Sequence, residues 1–210
     1  QNLKIILSFF ISLIPINFFK IFLYNIFFSY KIDSNSKIGF ANIITCEKVE
    51  ILNSKIGHFN FIQIKEIKLN DSKISNLNII KNFNLLNAKY SSEIGSYNKF
   101  FGEDFKIGKL FIKKSLFTTS HTININNEFI VNEDVVFGGI KSKINIGKSN
   151  NKTSIGKNVY FGSTVFLNSG LTICDRVLIG SGSTVCENIK KPGLYVSNSL
   201  IKNNDEFNLK

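Results

Sequence analysis

The chain has 210 residues and a formal net charge of +11, and Arg176 is its only arginine. That length suits a single well-buried domain or a solenoid. The scattered lysines do not supply the bidentate base contacts that nucleic-acid readers draw from arginine, so nucleic acid is excluded as a partner, while a phosphate-bearing cofactor gains modest support. Cys46, Cys174 and Cys186 have no metal-type spacing; no metal site is expected, and reduced thiols in the cytoplasm are the simplest account. A chain that opens on Gln1 and contains no Met leaves its true start open.

Residues 1–31 form the first segment and its apolar run is LKIILSFFISLIPINFFKIFLYNIFFSYKI, long enough to cross a bilayer but interrupted by Pro15, Asn17, Lys20 and Asn25. After Pro15 a helix places Ile16, Phe19, Leu23, Ile26, Phe27 and Tyr30 broadly on one side and Asn17, Lys20 and Tyr24 on another, with Phe18, Phe22 and Phe28 widening the apolar arc. An interfacial helix on the inner face of a membrane, or a cap over the end of the next domain, is the first reading, and a true span the second. No small-residue cleavage site follows the run, so a signal peptide is not expected.

The second segment is 32–196. Ile38, Ile56 and Ile74 recur every eighteen residues, as do Ile44, Ile62 and Ile80. Ile94-Gly95 and Ile107-Gly108 continue the series out of phase, which predicts insertions or bulged corners over 81–106. The phase is clean again over 125–142, opened by Ile125, Val131 and Phe137, and breaks at the polar stretch 147–154, GKSNNKTS, expected to be an extruded loop.

From Ile155 to Lys190 the sequence falls into six blocks of six. Ile155, Phe161, Leu167, Ile173, Ile179 and Val185 open them, and Val159, Val165, Leu171, Val177, Ser183 and Ile189 hold the fifth place. Neither 3.6 nor 2 fits this period; a hexapeptide repeat predicts a parallel β-helix, three blocks to a triangular coil, with first and fifth residues turned inward. The second place is mostly small (Gly156, Gly162, Asn168, Cys174, Gly180, Cys186). It is expected at a corner where positive φ is tolerated and a larger side chain would crowd the next coil. After Lys190 the sequence KPGLY leads out of the prism, and 197–210 is expected to be a polar, frayed tail.

The run IGKNVYFGSTVFLNSGLTICDRVLIGSGSTVCENI resembles the hexapeptide-repeat acyltransferases, and most of all their sugar O-acetyltransferase branch. The resemblance implies a left-handed parallel β-helix and a homotrimer with active sites between neighbouring prisms. It implies transfer of an acetyl group from acetyl-CoA to a sugar hydroxyl, on a surface polysaccharide or its precursor. The chemistry requires a base of near-neutral pKa within hydrogen-bond reach of the acceptor. The family's histidine position falls in Gly138-Gly139-Ile140-Lys141-Ser142-Lys143-Ile144-Asn145-Ile146-Gly147, which contains none. His121, in FTTSHTININN, is the remaining candidate, as a base or as an orienting group; its other reading is a corner residue bonded to a neighbouring coil. His58 is assigned to the surface.

For the cofactor, Gly162, Ser163, Gly180, Ser181 and Gly182 are expected to let a pantetheine arm approach the backbone. Lys190 and Lys191 are expected to meet its phosphates as point charges, or else to be ordinary surface lysines. Glu187 stands where the family has lysine, and the family's GNPAK segment is reduced to Ser197-Asn198-Ser199. The alternative function is a β-helix that keeps fold and trimer without catalysis, as a scaffold or binding module; a lectin-like solenoid without any link to CoA is the third.

Overall fold

The computed structural model describes residues 2–148 and 151–196, together with the backbone of 199–202. Short strands wind into a parallel β-solenoid of about eight turns with three flat faces. The first face has ten strands, the second eight and the third six. Within a strand one residue points inward and its neighbours outward, because successive Cβ atoms alternate across the pleat. The inward set is the period read from the sequence. Ile155, Val159, Leu167, Ile173, Val177, Ile179 and Val185 are all buried, as are the earlier Ile38, Ile56, Ile74 and Ile94. In the middle of the prism the interior column turns aromatic, with Phe117, Phe137 and Phe161 stacked face to face.

Positive φ does not fall where the small second-place residues stand. In the clean repeat it falls on the fourth place, at Asn158, Thr164, Gly170, Arg176 and Gly182. The second place is small because of the coil beyond it. A Cβ on Gly156 would lie 2.7 Å from the backbone nitrogen of Asp175, and one on Gly162 2.7 Å from that of Ser181. Corner crowding, not backbone handedness, selects glycine there.

The N-terminal apolar run is two helices, α1 (Asn2–Ser12) and α2 (Asn17–Phe28), separated at Pro15. No helix among the described residues is long and apolar enough to cross a membrane. The pair lies on the first coil, whose strand edge has no preceding coil to bond with. Buried N–H and C=O groups need partners, and the helices provide them from side chains. Asn17 accepts from the Ile38 N–H at 3.0 Å and donates to Ser36 O at 2.8 Å. The ammonium of Lys20, only 3% exposed, donates to Ile38 O and Gly39 O, both at 2.8 Å. Ser8 Oγ accepts from the Ile44 N–H at 2.7 Å, and just beyond α2 the Tyr30 hydroxyl accepts from the Cys46 N–H at 2.7 Å.

Burial lowers the Lys20 pKa, and its two carbonyl partners are what make a buried ammonium tolerable there. Substituting Lys20 by Met keeps the stem and removes both donors. Each bond to a charged group is worth about 1.5–3 kcal/mol, partly offset by relief of desolvation, so the net loss is expected at about 1–3 kcal/mol. Urea unfolding with proteolysis of the N-terminal segment measures it, and an unchanged midpoint would show that the cap does not depend on this lysine.

At the other end Gly193–Val196 completes the first face. Ser199–Lys202, expected to lie free, pairs antiparallel with it, joining Val196 to Ser199 and Tyr195 to Leu200. Residues 203–210 of the expected tail, and Ser149 and Asn150 of the expected loop, lie outside the described residues. The end of that loop is strand, Thr153–Ile155, with Thr153 buried and its hydroxyl accepting the Gly170 N–H.

Candidate functional site

The turn from the first face to the second recurs coil after coil, with one register shift between the Phe117 and Phe137 coils, and a single column of polar side chains runs inside it. Asn42 Oδ1 accepts from the Asn60 N–H, Asn60 from Asn78, Asn78 from Asn98, and Asn98 from the His121 N–H, each at 2.9 Å. His121 Nδ1 then accepts from the Ser142 N–H at 3.3 Å, and Ser142 Oγ from the Val165 N–H at 3.2 Å. His121 is therefore one rung of a buried ladder. It has no exposed surface, and its Nε2 lies 3.1 Å from Phe137 O and 3.0 Å from Thr118 Oγ1. The carbonyl assigns the ring proton to Nε2. Burial pushes its pKa down to about 4, against a smaller opposing effect from the Phe137 carbonyl.

A general base needs an accessible lone pair. His121 has none: one nitrogen accepts a backbone N–H and the other donates to a carbonyl. This geometry fits the reading of His121 as a corner residue bonded to the neighbouring coils, and gives no support to its reading as the base. His58 is exposed, but its Nδ1 also accepts a backbone N–H, from Phe40 at 3.0 Å. It borders an open concavity of about 630 Å³ with Lys37, Lys55 and Lys73, which stand in register on adjacent strands. Glu133 is no better placed for proton transfer. Lys113 and Lys157 hold its carboxyl at about 2, so it stays ionised and weakly basic.

The expected cofactor residues separate into two groups. Gly162-Ser163 and Gly180-Ser181-Gly182 occupy the same stack of corners as His121, two and three coils on. The Ser163 N–H donates to Ser181 Oγ at 3.0 Å, and Gly162 is packed under Ser181, so these two are engaged in coil stacking. Gly182 differs. Its φ is +74°, it is exposed, and a Cβ built on it would meet nothing within 4 Å, so its backbone is open to close approach. Lys190 and Lys191 are exposed on the opposite edge of the first face, where Ile189 has just bridged to Ile173 on the third. One corner of one chain does not bring these lysines to Gly182; the width of the first face lies between them.

That face has a feature the hexapeptide reading passed over. Its outward residues are charged in the first four coils, Lys37, Lys55, Lys73 and Glu93, and apolar thereafter. Leu116, Val136, Tyr160, Leu178 and Leu194 pair strand to strand in one continuous register. An open concavity of about 800 Å³ lies over this stripe at the edge where the chain enters the face, with Ser115, Asp134 and Asn158 beside Leu116, Val136 and Tyr160. The sixth place of the repeat carries the signal, at Tyr160 and Leu178. The three cysteines are free thiols, and no group of residues that could hold a metal ion occurs among the described residues.

No family model matches the chain. Over 61 residues it is 44% identical to the bifunctional protein GlmU of Aliarcobacter butzleri, a stretch covering 29% of this chain and 14% of that protein. With GlmU of Streptococcus uberis it shares 36% identity over 80 residues, 38% of this chain and 17% of the relative. The matched stretch thus spans about one-seventh of the length of the first of these relatives. Among solved structures, the UDP-N-acetylglucosamine O-acyltransferase LpxA of Moraxella catarrhalis aligns with a TM-score of 0.39 and 19% identity, over 79% of this chain and 67% of that one. The polySia-specific acetyltransferase NeuO aligns with a TM-score of 0.31 and 17% identity, over 86% and 92%. In sequence, then, part of this chain is similar to a stretch of GlmU, and no more than that stretch is shared.

Proposed function

We propose that this chain is one subunit of a hexapeptide-repeat acyltransferase, with the left-handed winding of that class, which transfers an acetyl group from acetyl-CoA to a sugar hydroxyl of a surface polysaccharide or its precursor. The observation that carries the reading is the 61-residue stretch shared with GlmU at 44% identity, in a chain that winds into a parallel β-solenoid. The first face supports the assembly. Five apolar residues in an unbroken outward row are costly in water and suit burial against another copy, as a trimer of prisms would provide. Such packing would bring Gly182 of one subunit and the basic edge of another, Lys190 and Lys191, to a common groove. No single subunit offers both.

In the transfer step the acceptor oxygen bonds to the thioester carbonyl carbon, the carbon–sulfur bond breaks, and the acceptor's proton must pass to a base and from it to the departing sulfur, so that CoA leaves as a thiol. Exposed backbone at Gly182 is where this chain can admit the pantetheine arm. The reading places the protein in the cytoplasm, where its three thiols remain reduced.

A second reading has its own observation. Both histidines use a ring nitrogen to accept a backbone N–H, as expected of a solenoid that has kept its fold and lost its base. Titrating the purified protein with acetyl-CoA in a calorimeter separates the two. Saturable binding at sub-millimolar concentration, weakened several-fold in Gly182→Val, is expected for the transferase. No heat at millimolar cofactor would leave the scaffold.

A further inference from the structure

The terminal helices turn polar groups inward and carry apolar side chains on both sides. A helix covering a soluble domain ordinarily turns its apolar side inward and its polar side to water. In α1 and α2 the groups turned inward include Ser8, Ser12, Asn17, Lys20 and Tyr24, and the first coil requires this because its strand edge needs donors and acceptors. Ile11 and Ile21 are buried beside these polar groups, and the other apolar side chains of the two helices are largely left facing out. Leu3 is 77% exposed, Phe18 66% and Phe10 62%, with Phe19, Phe22 and Phe27 each about half exposed beside them. Isolated surface phenylalanines are ordinary, but a patch this dense over two adjacent helices marks a contact surface.

Its charge selects the occupant. Residues 1–32 contain no acidic side chain, and Lys4 and Lys31 are exposed on the same segment. The first carboxylate, Asp33, is turned to the solenoid, where it accepts from Ser36 and from the Asn53 N–H. A second copy docked on this patch would set lysine against lysine with no carboxylate on the patch to answer it. A surface offering both hydrocarbon and negative charge answers both features, and neither helix is long enough to pass through it.

We propose that the outer side of α1 and α2 seats this protein on an anionic lipid bilayer, with the phenylalanines at the boundary between headgroups and acyl chains and Lys4 and Lys31 among the headgroups. Polar side chains anchor the helices to the solenoid, so the prism stands on the membrane instead of being tethered by a loose segment. The proposal holds independently of the acyl-transfer reading, since it uses no residue of that site.

The chain has no Trp, so Phe18→Trp gives a single reporter on the full-length protein. With vesicles of phosphatidylcholine and phosphatidylglycerol, its emission is expected to shift to the blue and the protein to float with the lipid. Vesicles of phosphatidylcholine alone should bind it several-fold less, and added salt should weaken the binding. The double variant Phe22→Glu, Phe27→Glu should keep the circular dichroism of the folded solenoid while its partition onto the mixed vesicles falls at least about tenfold. Wild-type protein that stays in solution with the mixed vesicles overturns the proposal. So does flotation that survives the double substitution in folded protein, or substitutions that instead dissolve a soluble oligomer.

Discussion

Replacing Phe137 by alanine is expected to destabilise the solenoid by about 3–5 kcal/mol, the range for truncating a fully buried phenylalanine. Phe137 has no exposed surface. Its ring is stacked between Phe117 and Phe161, with centroids 4.3 Å away on either side and interplanar angles of 9° and 10°, and Phe129 meets it edge-on at 6.2 Å. The truncation removes one ring from the middle of a column and leaves the others facing a void. A solenoid coil contacts only its neighbours, so the loss falls on two interfaces at once and should divide the prism into separately melting halves. Urea unfolding monitored by circular dichroism is expected to show both a lower midpoint and a broader transition. Phe137→Leu, which refills most of the space, should recover more than half of the loss. A shift below about 1 kcal/mol with an unbroken transition would mean that the column is ornamental to stability.

The prism was legible because its physics is repetitive. Each block of six restarts with an apolar side chain, and three such residues per turn, repeated coil after coil, leave a period no helix or ordinary strand imitates. Features set by contacts between coils were not legible in the same way. Asn42, Asn60 and Asn78 stand eighteen apart, and that interval was a usable signal of an internal ladder. Insertions then stretch the later intervals, so His121 and Ser142 fall out of step in sequence while staying in step in space. A histidine read without its rung looks like a catalyst. The two sides of α2 could also be named from sequence, but not which would turn inward, because the decision belongs to the unpaired edge of residues 36–46, invisible until the first coil exists. The second-place glycines gave a correct residue preference for an incomplete reason: crowding by the next coil sets them, and positive φ sits two places later.

The ladder position of His121 predicts how the protein responds to acid. Its folded pKa, about 4, lies below the ordinary value of 6.5 because the site is dry; protonation would in addition break the bond that Nδ1 accepts from the Ser142 N–H. The unfolded chain takes up a proton as pH falls through about 6.5, while the folded chain resists until about 4, so the unfolded state binds more protons in between. The contribution is therefore present in full above about pH 6.5, declines through the window, and is exhausted near 4, with a loss on the order of 3 kcal/mol. Asparagine supplies the rung at four earlier coils, so His121→Asn should continue the column, fold normally at neutral pH and lack this window. Unfolding midpoints measured from pH 7 to 4 should diverge between the two proteins, the wild type falling faster; parallel curves would place the ring in contact with solvent and restore it as a candidate base. The same substitution bears on chemistry. Any acetyl transfer that His121→Asn retains must draw its base from a residue outside the ladder.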